Sequence, residues 1–555
     1  MSRSRFGGAA VLALVLLTSC TPRWPFQSRP RPEPAPPVVR ADSTPPPPDL
    51  SLPPDGPFAS DSVGVAWALH LARAYDQART FGADPRLAGA PLDARLARTA
   101  FALGRAETDS DRSRLLPPTP WLPLAPRALP TQLTPPPAVT PPAEWARPRY
   151  PVRAVRLASA IIVWSTLRHE HAYRMLADEE WDATLARVIP LVLDAPDSIH
   201  YATALRDLLT ATSDSRVTLD DPTLDARLGA GVLPVAVRSI EGQMVITGVA
   251  ADAAASGVQV GDIIVRIDND PIERKFDAAE RLFSASNAWT RRRDAVQLFR
   301  RGPIGSTATL QLQRPGARGR SESRDVVVTR VAGDGAPAML ATARAIDTVG
   351  AGLAIIDAAQ LTDIRVDSLR ALDAARRPRA LIVDLRAGVQ PRAVTRLTRW
   401  LLDQPTVRTM LTRRTIVPCA DCDARFTQEW YDRLTADSVP RFAGRVVVLI
   451  DERVDDLAEV AALALVSAAG ATPIGAPSAG AVGPQTMLAL PGGFAVRYPW
   501  ADVRWADGRQ LQRVGLTPLV DVRQTVAGIR AGRDDVLEAA VRWLGGSTAP
   551  AARRR

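Results

Sequence analysis

Ala380-Leu381-Ile382-Val383-Asp384-Leu385 and Arg445-Val446-Val447-Val448-Leu449-Ile450 are two short runs dominated by apolar residues that follow one another without alternation. A strand wetted on one side would alternate apolar with polar, so runs of this kind belong inside a sheet covered on both faces. Val460 to Ala469, rich in Ala and Leu, reads as a helix. Strand-like and helix-like segments alternate from Thr348 to about Gly546, which predicts an α/β domain over residues 338–546.

Working outward, residues 227–331 carry shorter strands: Val235–Val237, Met244–Val249, Ile263–Ile267 and Thr309–Leu312, punctuated by Gly257, Gly261 and Gly305. A helical piece, Phe276 to Phe283, lies among them. Residues 152–226 are helical in pattern, with Trp181, Leu185, Ile189 and Val192 on one face, and Pro190 predicts a kink or an interruption there. Residues 57–115 hold two more helical patterns, for example Val65, Leu69, Ala72 and Tyr75. The proline-dense stretches 21–56 and 116–151 read as extended spacers, and 547–555 as a tail. The expected fold class is therefore α/β multidomain, with N-terminal helical segments, a β-rich middle domain and an α/β core.

The chain has 555 residues, 46% hydrophobic and 23% charged, which suits several folded domains. Its formal charge of +10 comes almost wholly from arginine, Lys275 being the single lysine. The charge is spread along the chain with no basic block interleaved with aromatics, so nucleic acid is not an expected partner. No cofactor or metal-binding set stands out.

Arg3 and Arg5 precede an apolar run from Phe6 to Leu17, too short to span a bilayer stably, that ends in Leu17-Thr18-Ser19-Cys20. The ending resembles a bacterial lipobox, which implies acylation of Cys20 and a chain tethered to a membrane of the cell envelope, on its periplasmic or extracellular side. Cys419 and Cys422, in an oxidising compartment, are read as a local disulfide; zinc or redox chemistry would want further partners that are not visible nearby.

Ala253-Ala254-Ala255-Ser256-Gly257-Val258-Gln259-Val260-Gly261-Asp262-Ile263-Ile264 resembles the small-residue helix and Gly-Asp turn of PDZ domains. That resemblance implies binding of a partner's extended C-terminus at a sheet edge, with Gly229, Ala230, Gly231, Val232 and Leu233 as the carboxylate loop. Several stretches, taken in order, resemble the tail-specific (C-terminal processing) serine proteases, in particular their tricorn-core and interphotoreceptor-retinoid-binding branch. They are Val163 to His169 with Glu180-Trp181-Asp182, the PDZ-like segment, Ala380 to Arg386, and then Val446 to Glu459, Gly475 to Ala481 and Gly532 to Leu537. The family expectation is peptide-bond hydrolysis by a serine hydroxyl activated by a base, with backbone N–H groups receiving the oxyanion.

Carried over residue by residue, the resemblance puts Asp456 where the nucleophilic serine would stand, with Glu459 matching the glutamate of that turn. Arg216 falls at the histidine and Gln512 at the acidic partner. Gln390 and Pro391 fall at the paired glycines, and proline has no N–H to offer. Every catalytic position is changed. The expectation is a protein that holds peptides or protein C-termini without cutting them, with an Arg216–Asp456 ion pair across the cleft, worth about 3–5 kcal/mol if well buried. His169, His171 and His200 are expected to be structural, and Ser215 and Ser478 to be turn residues. A working serine endopeptidase and a carrier of apolar ligands remain alternatives.

Overall fold

The computed structural model describes residues 50–81, 90–116, 132–136, 142–147, 150–280, 282–315, 321–332, 345–349, 352–376, 378–418 and 423–545. Cys20 with its lipobox, the Cys419/Cys422 pair, most of both proline-rich spacers and the tail 547–555 lie outside these residues.

The centre is a six-stranded sheet in the spatial order Ile346–Val349, Leu353–Asp357, Ala380–Asp384, Arg445–Ile450, Thr472–Gly475, Val520–Asp521. All neighbours pair parallel except the first, which is antiparallel. Ile382 lies opposite Val447, and both faces of these strands are covered. Leu381, Val383, Val448 and Ile450 enter one core, and Ile382, Val447, Leu449 and Ile474 enter the other. Helices Asp363–Arg376, Pro391–Leu401 and Asp456–Leu463 cover one face, and Asp535–Trp543 covers the opposite face. The Ala/Leu-rich helix expected over 460–469 starts four residues earlier, and residues 464–468 widen into a π turn.

The β-rich middle domain is a five-strand path: Val235–Ile240, Gln243–Val249, Ile263–Ile267, Thr307–Pro315 and Ser321–Thr329, with Val235–Ile240 at one edge. Helix Ala288–Phe299 packs on it, opened by a capping box between Asn287 and Thr290. Against the central domain it rests on Ile240, Val245, Val526 and Ile529.

Although the intervening segment is proline-rich, helices Ser62–Phe81 and Ala90–Arg105 share one core with Arg153–Glu170, Trp181–Asp194 and Ser198–Thr210. A buried polar thread accompanies this packing. The Tyr75 hydroxyl donates to Asp93, and Glu170 takes hydrogen bonds from Arg79 and from Tyr498 of the strand Phe494–Pro499. Helix Trp181–Asp194 runs through Pro190 without the expected interruption. Only one intrahelical N–H is lost there, and Val188, Ile189, Val192 and Leu193 stay fully buried around it. Among the described residues no helix is long and apolar enough to cross a membrane.

Candidate active site

The cleft is assembled from three distant parts of the chain. Strand Thr218–Asp220 pairs antiparallel with Phe494–Pro499, and this draws the preceding loop, with Asp214 and Arg216, onto the central domain. Strand Arg445–Ile450 delivers a sharp turn that opens helix Asp456–Leu463. The segment around Gln512 then passes beneath both.

Asp456 stands at the start of its helix with φ of +44°, a left-handed conformation that few residues accept and that aspartate accepts better than most. Its N–H is spent on the Ala481 carbonyl at 2.9 Å. Its carboxylate lies 2.9 Å from Arg216 Nη2, with the two side chains 27% and 20% exposed. Burial raises the Asp456 carboxyl above its ordinary range, and the Arg216 guanidinium opposes that rise. The pair is thus half-wet, and its loss costs less than that of a fully buried pair. Arg216 is itself braced: its N–H donates to Asp214 at 2.8 Å and its carbonyl accepts from Gln485 at 2.6 Å.

Gln512 is fully buried and does not touch the ion pair directly. Its Nε2 donates to Asp214 Oδ1 at 2.7 Å and to Ser286 Oγ at 3.2 Å, while its Oε1 accepts the Val482 N–H at 2.9 Å. The amide fits because it gives and takes hydrogen bonds at once. An ionised glutamate here would set two carboxylates against each other. The other oxygen of Asp214 meets His171 Nε2 at 2.8 Å, with both side chains sealed from solvent. A chain of contacts therefore runs His171–Asp214–Gln512, with Arg216 joined to Asp214 through its backbone.

One turn beyond Asp456, Glu459 is fully buried. It accepts the Ser478 hydroxyl and the N–H groups of Gly480 and Ala481, the latter two at 2.7 and 2.9 Å. Burial pushes its carboxyl up to about 7 against these stabilising donors. Ser478 in turn accepts the Leu516 N–H at 2.7 Å, so its oxygen ties helix, loop and following segment together. Ser215 bonds Thr290 and the Ser286 N–H. Among the described residues no serine hydroxyl bonds a histidine ring; His169, His171 and His200 face Asp76, Asp214 and Asp197.

Gln390 and Pro391 offer no free backbone N–H to an oxyanion. The Gln390 N–H goes to the Ala358 carbonyl at 2.9 Å, and Pro391 begins helix Pro391–Leu401. The segment Gly229 to Leu233, expected as a carboxylate loop, is committed to the chain itself. Gly231–Val232 pairs with Val331–Ala332 on one side and Arg301–Gly302 on the other, and the Leu233 N–H donates to the Arg300 carbonyl. A Cβ on Gly229 would come within 2.2 Å of Gly302, so only glycine fits this position. Strand pairing and the Arg300 contact thus engage Gly231, Val232 and Leu233 of that segment. The helix Ala288–Phe299, missed in the sequence reading, reaches the cleft instead: Arg293 contacts Asp455 at 2.9 Å, and Trp289 donates to the Ser478 carbonyl. The capping pattern Asn287-x-x-Thr290 was its available signal. The His171–Asp214 contact had no local signal at all.

No curated protein matches the chain. Residues 360–522 match the family model described as peptidase family S41. Among solved structures, mature CPAF complexed with lactacystin is 13% identical over 71% of this chain and 97% of that one, with a TM-score of 0.53. A CPAF mutant gives 13%, 71%, 96% and 0.54. The photosystem II D1 C-terminal processing protease is 17% identical over 70% of this chain and 97% of that one, with a TM-score of 0.42. The CPAF structures show the fold of the larger part of the chain, and residues 360–522 carry a domain of the S41, or tail-specific, protease family.

Proposed function

We propose that this member of the family binds polypeptide segments without hydrolysing them and does so from a lipid anchor in the bacterial cell envelope. The observation that carries the reading is the Arg216–Asp456 contact, an ion pair standing where a base and a hydroxyl nucleophile would have to meet. A carboxylate already paired with a guanidinium has neither a proton to surrender nor a base to take it. The spent Gln390 amide and the missing Pro391 N–H remove the second requirement, stabilisation of the oxyanion. Binding remains open to the protein: strand Val235–Ile240 is a sheet edge beside a groove of about 350 Å³, a geometry that can accept an extended segment as an added strand.

The test is incubation of the purified full chain with unfolded and C-terminally tagged proteins, alongside fluorophosphonate labelling. The expected result is neither cleavage nor label. Labelling of one serine that is lost on its mutation would overturn the reading. The anchor is tested separately: Cys20→Ser should shift the protein from the membrane to the soluble fraction of cells.

A second reading, carriage of an apolar ligand, is favoured by one feature. A cavity of about 420 Å³ is lined by Leu209, Val217, Leu224, Phe283 and Leu298, with Arg206, Arg293, Asp294 and Arg301 also on its wall. Partition of a fluorescent fatty acid into the purified protein would distinguish it.

A further inference from the structure

We propose that the groove beside Asp456 is the seat of an acidic, partly apolar polypeptide segment. This deepens, and rests on, the non-cleaving reading above. Helix Pro391–Leu401 carries Arg392, Arg396 and Arg399 at spacings of four and three, which places them along one face. That face forms a wall of a groove of about 570 Å³. Arg370 and Arg408 join the wall, so five arginines meet two lining carboxylates, Asp363 and Asp437.

Part of this charge is balanced from behind. Arg396 pairs with Asp367 at 2.6 Å and Arg408 with Asp432, neither carboxylate lining the groove, while Arg370 is paired within the groove with Asp437. Two cations remain available. The Nε of Arg399 is spent on the Thr435 carbonyl at 3.0 Å rather than on a carboxylate. Arg392 reaches Asp363 at 3.2 Å but is 92% exposed, so its pairing is weak and its head is free to swing to a ligand.

The floor is apolar: Leu457, Val460 and Ala461 come from the helix that Asp456 opens, and Leu457 is 52% exposed. The groove thus starts one residue from the Asp456–Arg216 pair. A cationic wall over an apolar floor selects a segment that alternates Asp or Glu with aliphatic side chains. A basic segment would meet like charges, and a neutral one would gain only the floor.

The experiment is fluorescence anisotropy of the full chain with three labelled short peptides of one length: Asp/Glu with Leu, the same with Asn/Gln, and the same with Lys/Arg. The acidic peptide should bind at least about tenfold more tightly than the amide version, and the margin should shrink between about 50 and about 300 mM salt. Arg392→Glu with Arg399→Glu should abolish that margin with no change in the urea midpoint. Arg392→Ala, which alters a side chain almost wholly in solvent, should reduce it in the same direction. Arg509→Glu, in an exposed pair elsewhere, should leave it intact. Equal binding of acidic and amide peptides, or a margin that survives the double substitution, overturns this inference and leaves the non-cleaving reading standing. Failure of all three peptides to bind overturns both.

Discussion

The central sheet and the cleft at the end of its strand Arg445–Ile450 adjoin one another and differ in almost every respect. Inside the sheet, Ile382, Val447 and Leu449 bury only hydrocarbon, and each backbone group finds its partner in the neighbouring strand. At the cleft, where strand Arg445–Ile450 ends, fully buried polar side chains from distant parts of the chain gather: Asp214, Glu459, Ser478 and Gln512. The sheet fixes where the cleft residues stand but not which residues they are. Fold and cleft therefore draw on different residues, the sheet on hydrocarbon and the cleft on buried polar groups.

The contrast can be broken most severely at the sheet. Ile382→Ala removes a fully buried aliphatic side chain and should cost about 2–5 kcal/mol of unfolding free energy. A urea midpoint unchanged within error would show that these strands are not the stabilising core.

A smaller, pH-dependent effect belongs to Glu459. Its carboxyl titrates near 7 in the folded protein against an ordinary 4.5, so the folded state holds the proton more tightly than the unfolded chain. Stability from this group is complete below about 4.5 and is lost as pH rises to about 7, by roughly 3 kcal/mol in all. Glu459→Gln should remove that slope, read as the difference between wild-type and variant unfolding free energies across the same window. Parallel pH profiles would sink the assignment.

The smallest effect is expected at the half-wet ion pair. Arg216→Ala should cost about 1–2 kcal/mol, between the values for exposed and fully buried pairs. Asp456→Asn in the same chain should recover part of the loss, because the stranded carboxylate is gone. A double-mutant coupling indistinguishable from zero would mean that the contact contributes nothing to folding.

How much of this was legible in the sequence follows the same division. The strands Ala380–Asp384 and Arg445–Ile450 could be read directly, because burial on both faces leaves an uninterrupted apolar run. Strand Ser321–Thr329 was missed: it lies at a sheet edge, and in Ser-Glu-Ser-Arg-Asp-Val-Val-Val-Thr only Val326 and Val328 are buried. The long hairpin of Thr406–Pro418 with Asp423–Leu434 was missed as well, because its arginine-rich composition hides the alternation. At the cleft, Arg216, Asp456 and Gln512 could be singled out only through the family resemblance. That Gln512 serves Asp214 rather than the ion pair could not be read, because the two lie 298 residues apart in the chain and the contact exists only after folding.

The left-handed backbone at residue 456 has an evolutionary corollary. The bend holds residue 456 in a backbone region that few side chains tolerate. A saturation library at this codon should therefore sort by backbone compatibility: glycine and asparagine tolerated, valine and isoleucine rejected. Which residues can stand here is thus filtered first by backbone geometry and only then by what their side chains can do.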